Sequence, residues 1–256
     1  MIKTDLNCDM GESFGNYVCG MDEGVVPFIS SANVACGFHA SDPLVMEKTV
    51  ALCRKSGVRV GAHPGFPDLV GFGRRQMQVS ADELRTMVIY QVGALKAFCE
   101  ASGVKLQHVK PHGAMYNMAG KDEVMAAAIC AGVKAVDPSL ILLGLSGSKL
   151  VTEAQRIGLR AAREVFADRA YEEDGSLVAR GKPGAMITDE AEAIARVVSM
   201  VTKRSVRAIT GKEIPIEADS ICLHGDSPKA VLFAEKISAA LKAEGIAVVP
   251  IEEVIA

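Results

Sequence analysis

The run Asp42-Pro43-Leu44-Val45-Met46-Glu47-Lys48-Thr49-Val50-Ala51-Leu52-Cys53-Arg54-Lys55-Ser56-Gly57-Val58-Arg59-Val60-Gly61-Ala62-His63-Pro64-Gly65 contains one full unit of the fold. Asp42 is an N-cap: its carboxylate can accept the unpaired amides of a first helical turn. Pro43 suits the first helical position, where no amide is needed. Gly57 stands where that helix should stop. Val58–Ala62 is then a short apolar run, as expected of a strand buried on both faces, and His63 ends it where the chain turns polar. Helix, stop, buried strand and polar turn predict helices alternating with parallel strands.

The same rhythm extends in both directions. Strands are expected at Thr4–Cys8, Ile29–Cys36, Val58–Ala62, Leu106–Lys110, Leu140–Gly144, Arg160–Phe166 and Ser220–Leu223, with a short one near Ile246–Pro250. Ser80-Ala81-Asp82-Glu83 has the form of a capping box, and Leu84, Met87, Val88, Leu95, Phe98 and Cys99 recur behind it at helical spacing as an inward face. Ser227-Pro228 opens a further helix that Gly245 ends. No linker-like tract or internal repeat divides the 256 residues. The expectation is therefore a single α/β barrel domain over residues 1–256, with about seven parallel strands. Two loops, Pro64–Met77 and Ala167–Ala185, are longer than a simple connection needs.

Composition agrees with a buried sheet. Hydrophobic residues make up 49% of the chain but aromatics only 5%, so Val, Ile, Leu, Ala and Met must build the core. Lys and Arg total 28 against 31 for Asp and Glu. That balance provides no positive field for nucleic acid or a membrane surface, and neither is expected as a partner. The seven cysteines show no Cys-x-x-Cys spacing. Cys53, Cys99, Cys130 and Cys222 lie in apolar stretches and read as small buried hydrophobes, whereas Cys8 and Cys36 sit near the polar motifs. Reduced thiols and the lack of an apolar leader after Met1-Ile2-Lys3-Thr4-Asp5 give a cytoplasmic expectation.

Polar residues with chemical capability collect at the ends of the strands, which in a parallel barrel share one face. Asn7, Asp9 and Glu12 follow the first strand, Asn33 and His39 the second, and His63 ends the third. Lys110 and His112 end the fourth, and His224 and Asp226 the late one. Four of the five histidines thus occupy equivalent stations; the fifth, His108, reads as a packed residue of the barrel interior on the same side as Lys110. Asp9, His63 and His112 admit two chemistries. They could hold a divalent metal with a water position open, or exchange protons with water and a leaving nitrogen without any metal. Lys110 and Arg74 or Arg75 could neutralise a carboxylate or a developing oxyanion. The familiar phosphate-loop, dinucleotide, serine-elbow and His-Glu-x-x-His motifs are absent from the sequence.

Long ordered blocks resemble the LamB/YcsF family. They are Asp5-Leu6-Asn7-Cys8-Asp9-Met10-Gly11-Glu12, Ser31-Ala32-Asn33-Val34-Ala35-Cys36-Gly37-Phe38-His39-Ala40, Gly61-Ala62-His63-Pro64-Gly65 through Gly71-Phe72-Gly73-Arg74-Arg75, and Val109-Lys110-Pro111-His112-Gly113-Ala114-Met115-Tyr116-Asn117. Glu164–Arg169, Asp174–Val178 and Ile221–Asp226 continue the match. Ser41, Met115 and Ala179 depart from it where Gly, Leu and Pro are expected.

The resemblance implies a distorted TIM-like barrel similar to the glycoside hydrolase/deacetylase superfamily. It implies cleavage of 5-oxoproline to L-glutamate, with ATP consumed by a complex and bound by the partner subunits B and C. In that reading Asp9, His63, His112 and Lys110 are catalytic, while Asn7, Glu12, Asn33, His39, Arg74, His224 and Asp226 hold substrate. Two alternatives stand beside it: a metal-dependent amidohydrolase or deacetylase acting alone, and a non-catalytic adaptor of a lactamase complex.

Overall fold

A computed structural model of the chain describes residues 1–179, 181–223 and 228–256. In chain order these form β1 (Lys3–Met10), α1 (Asp22–Val25), β2 (Ser31–Ala35), α2 (Pro43–Ser56), β3 (Arg59–His63), α3 (Ala81–Ala101), β4 (Leu106–Val109), α4 (Gly113–Ala119) and α5 (Glu123–Val136). They continue with β5 (Ile141–Leu145), α6 (Lys149–Arg156), β6 (Arg160–Phe166), α7 (Glu190–Thr202), β7 (Ser205–Arg207), β8 (Glu213–Pro215), β9 (Ser220–Leu223), α8 (Pro228–Ala243), β10 (Ala247–Val248) and α9 (Ile251–Val254). Strands β1 to β6 pair in sequence, all parallel. β9 then closes the ring by pairing with both β6 and β1. The result is a seven-stranded parallel barrel surrounded by helices.

Local chemistry accounts for the helix ends. The Asp42 carboxylate accepts from the amides of Leu44 and Val45 at 2.9 and 3.0 Å, and Gly57 ends α2 at φ 72°. Ser80 and Glu83 form both halves of the capping box before α3. The long β1 explains why the late strand near Ile246–Pro250 shrinks to β10. Lys3 and Thr4 pair with Ala247 and Val248, but from Asp5 onward that edge of β1 is taken by β9. β10 therefore flanks the barrel without entering it. The antiparallel pair β7–β8 adds to the expected strands; each is three residues long, too short to stand out as a hydrophobic run.

The main hydrophobic core lies between the sheet and the helices. Leu6, Cys8 and Met10 of β1 belong to it, as do Leu84, Val88 and Leu95 of α3. Since side chains alternate along a strand, Asp5, Asn7 and Asp9 turn into the barrel. A TIM barrel is usually filled there by branched apolar residues. Here the interior beside β1, β2, β4 and β9 is a hydrogen-bonded polar stack, and apolar filling is confined to the β5–β6 side. Ile141, Leu143 and Ala162 there pack with Ile251 of α9, which covers the end of the barrel where the strands begin. No helix among the described residues is long and apolar enough to cross a membrane.

At the base of the polar stack Asp5 accepts hydrogen bonds from Ser30 at 2.7 Å, Ser31 at 2.6 Å and Ser220. Burial outweighs these donors and pushes its carboxyl up to about 6. The unfolded chain gives up this proton near 3.9, so between those values the folded state binds more protons. The stabilisation from this group is complete below about pH 4 and is lost as the pH rises to about 6. Asp22, also pushed up to about 6 by burial, acts in the same direction. Asp5→Asn is expected to remove on the order of 2–3 kcal/mol of this decline. Urea midpoints at about pH 4.5 and about pH 7 check it; equal slopes for variant and parent would contradict it.

Candidate active site

Lys110 follows β4 directly, its amide bonded to the Ala62 carbonyl at 2.9 Å, and its side chain returns to the barrel axis. Its ammonium lies 2.9 Å from Asp9 Oδ1, 2.8 Å from Glu164 Oε1, 3.3 Å from Asn7 Oδ1 and 3.2 Å from the Cys222 sulfur. Burial alone would strip the proton from this amine. The Asp9 and Glu164 carboxylates and the Cys222 sulfur outweigh burial and hold it well above the usual lysine range. Lys110 is therefore a fixed cation between two carboxylates. Tyr116 Oη donates to the other Glu164 oxygen at 2.6 Å.

A chain of oriented donors fixes Asp9 from behind. Asn33 Nδ2 donates to Asp9 Oδ1 at 2.9 Å and to Asn7 Oδ1 at 2.7 Å, while Asn7 Nδ2 donates to Ser220 at 2.7 Å. The Asn33 oxygen lies 2.7 Å from His108 Nε2, and His108 Nδ1 lies 3.1 Å from Gln107 Nε2. An amide nitrogen must donate, so His108 carries its proton on Nε2 and gives it to Asn33. This fixes which end of the Asn33 amide meets Asp9. Burial, with Lys110 and His63, pushes His108 down to about 3, which keeps the ring neutral. Gly61 leaves the space for it: a Cβ there would stand 2.0 Å from His108 Nε2.

Above this layer three imidazoles gather. His63 Nδ1 meets the Lys110 carbonyl at 2.7 Å, and His112 Nε2 meets the Phe72 carbonyl at 2.9 Å. The facing nitrogens, His63 Nε2 and His112 Nδ1, are 3.0 Å apart. Asp9 Oδ2 lies 3.3 Å from His63 Nε2, and Glu12 Oε1 lies 3.6 Å from His112 Nδ1 and 3.3 Å from His39 Nε2. His39 stacks on His112 with centroids 3.7 Å apart. Burial and neighbouring imidazoles hold both His39 and His112 well below the usual histidine range. Burial and then Asp9 raise the Glu12 carboxyl. Ligand atoms of Glu12, His39, His63 and His112 all fall within 4.8 Å of one another and could hold a metal; Asp9 is not in that quartet.

The strand ends thus bring together Asp9, Glu12, His39, His63, Lys110 and His112, with Asn7 and Asn33 beneath. A cavity of about 930 Å³ opens over them. Asp9, Glu12, His63, Lys110 and His112 form its wall, while Asn7, Asn33 and His39, each fully buried, lie behind it. Both long loops border the cavity, through Phe72 and Arg74 on one side and Arg169 and Asp174–Ala179 on the other. Of the two candidate arginines, Arg75 is engaged by Asp68, while Arg74 packs over the Phe72 ring at 5.0 Å on the cavity wall. His224 and Asp226 lie outside the described residues. Cys8 and Cys36 are buried thiols, Cys8 raised well above the usual range and Cys36 pushed up to about 12, both by burial, so neither is a nucleophile.

Three contributors escape the sequence reading. Glu164 and Tyr116 complete the surroundings of Lys110, and Gln91 of α3 braces the loop after His63 by bonding both the amide and the carbonyl of Gly65. An acid inside the otherwise apolar end of β6, and an amide on the apolar face of α3, are the available signals. Ser41, which stands where Gly was expected, holds a left-handed φ of 77°. A glycine would adopt this conformation without steric cost.

The LamB/YcsF family model matches residues 4–256. The A subunit of 5-oxoprolinase from Clostridium beijerinckii is 63% identical over 254 residues, covering 99% of this chain and 100% of that protein. Its counterpart from Bacillus subtilis is 51% identical over 253 residues, covering 99% and 98%. The crystal structure of a lactam utilization protein from Thermus thermophilus superposes with a TM-score of 0.92 at 47% identity, covering 97% of this chain and 99% of that one.

Proposed function

This chain belongs to the LamB/YcsF family, and from that premise we propose that it is the A subunit of an ATP-dependent 5-oxoprolinase, opening the activated lactam to L-glutamate. The observation that carries the reading is the Asp9–His63 pair on the cavity wall, backed by Lys110. His63 gives its Nδ1 proton to a backbone carbonyl, so Nε2 is available to take one from water. Asp9, held in place by Lys110 and Asn33, stabilises the imidazolium that results.

A five-membered lactam resists direct hydrolysis. Phosphorylation of its carbonyl oxygen makes the carbon electrophilic, and this step belongs to the partner subunits B and C with ATP. Water then adds to that carbon while its proton passes to His63. That proton moves on to the ring nitrogen, and as the C–N bond breaks the hydroxyl proton follows it, leaving the free amine and an acyl phosphate from which a second water releases phosphate. Arg74, on the cavity wall, would meet the substrate carboxylate. Asn7, Asn33 and His39 act from behind by orienting Asp9 and Glu12. The working compartment in this reading is the cytoplasm, where thiols stay reduced.

Reconstitution tests the division of labour. The purified chain alone is expected to turn over little 5-oxoproline, and glutamate should form once both partner subunits and ATP are added. Rapid ATP-independent hydrolysis by the chain alone would contradict this and favour a stand-alone amidohydrolase.

A further inference from the structure

We infer that the barrel mouth carries a site for one divalent cation of the zinc class, bound by His63 Nε2, His112 Nδ1 and the Glu12 carboxylate, with a fourth position open to the cavity. A carbonyl oxygen only accepts, so the contacts to the Lys110 and Phe72 carbonyls place one ring proton on His63 Nδ1 and the other on His112 Nε2. The nitrogens that face each other at 3.0 Å are then both bare lone pairs. Beside them stand Glu12 Oε1 at 3.6 Å and Asp9 Oδ2 at 3.3 Å, which are acceptors as well. The two bare nitrogens and the Glu12 carboxylate thus converge within 3.6 Å, and a single cation would satisfy all three.

An extra proton bridging the two rings is the other solution. It satisfies only the two nitrogens and leaves the Glu12 and Asp9 carboxylates facing them without a shared partner, whereas a metal ion takes the carboxylate as a ligand too. The nearby charge of Lys110 is already matched by Asp9 and Glu164.

The spacing and donor set also suit a metal. Bonds of about 2.0–2.2 Å to a tetrahedral zinc put ligand atoms about 3.3 Å apart, and the observed 3.0 and 3.6 Å straddle that value. Two imidazoles and one carboxylate form a borderline donor set that selects zinc-like ions over calcium or magnesium. His63, His112 and Glu12 all reach the cavity wall, whereas His39 lies behind it. His39 Nδ1 is buried with no hydrogen-bond partner among the described residues. Its proton therefore belongs on Nε2, 3.3 Å from Glu12, where it orients the carboxylate as the outer partner of a metal ligand. This assigns Glu12 the ligand position that sequence reading gave to Asp9; with the ion bound, His63 Nε2 is a ligand and the proton-accepting role of the Asp9–His63 pair falls to Asp9, 3.3 Å away.

The test needs no substrate, so its outcome is separate from that of the lactam reading. Chelator-stripped chain is titrated calorimetrically with Zn²⁺ alone, and Co²⁺ is added in parallel to record the visible bands of a four-coordinate site. One equivalent is expected to bind, with affinity lowered about a hundredfold or more in Glu12→Gln and His112→Ala and lowered much less in Asp9→Asn, whose amide competes for the His63 lone pair but removes no ligand. The Co²⁺ spectrum of the unmodified chain keeps the test decisive if a variant fails to fold. No stoichiometric binding, binding indifferent to Glu12 and His112, or loss of binding in Asp9→Asn with Glu12→Gln unaffected would each overturn the site.

Discussion

Exchanging Asp9 for Asn is expected to slow glutamate formation by the reconstituted complex about 10²–10⁴-fold, the range for losing general-base catalysis by the Asp9–His63 pair, with assembly unchanged. The substitution is isosteric, and Asn keeps an oxygen for the bonds that Lys110 and Asn33 now give to Oδ1 at 2.9 Å each. The other end of the side chain then becomes an amide that points a hydrogen at His63 Nε2, 3.3 Å away. The carboxylate charge is lost, and the lone pair that should receive the water proton is occupied. Glutamate production and size-exclusion profiles of parent and variant complexes measure the two parts of this prediction. A fully active variant complex would favour the adaptor reading.

Lys110→Met is expected to have the largest effect on stability, about 3–5 kcal/mol, because removing one partner of a buried ion pair leaves uncompensated charge. Two carboxylates depend on this ammonium: Glu164, with no exposed surface, and Asp9, whose side chain is 17% exposed. Methionine roughly preserves the volume, so the loss would report charge more than a cavity. The double variant Lys110→Met, Glu164→Gln should regain part of the loss, since one stranded carboxylate is neutralised. Urea midpoints of the two variants against the parent chain check this. An unaltered midpoint in Lys110→Met would show that the cluster is not held by its lysine.

Much of the barrel can be read along the sequence because its signals are local. Asp42-Pro43 and Gly57 delimit α2, Ser80 and Glu83 begin α3, and each apolar run that ends in His or Lys is a strand meeting the mouth. The contents of the barrel are harder to read. When both faces of a strand are buried, a period of two does not say which face looks inward. Nothing near Glu164 in sequence indicates that its partner is Lys110, 54 positions earlier. His108 is expected as an interior residue and lies there fully buried. Its effect on Asp9 passes through Asn33, 75 positions away, which no local pattern reveals. Asp9 and Glu12 are both acids at the end of β1, so choosing between them as partner to the imidazoles requires the three-dimensional distances.

The most direct test of the central claim is to measure ADP and glutamate together in a single reaction of the Asp9→Asn complex with 5-oxoproline and ATP. If this barrel mouth delivers water to a lactam already phosphorylated by its partners, ADP should appear without matching glutamate, because activation proceeds and ring opening stalls. Glutamate formed at the parental rate and in the parental ratio to ADP would mean that the ring is opened elsewhere.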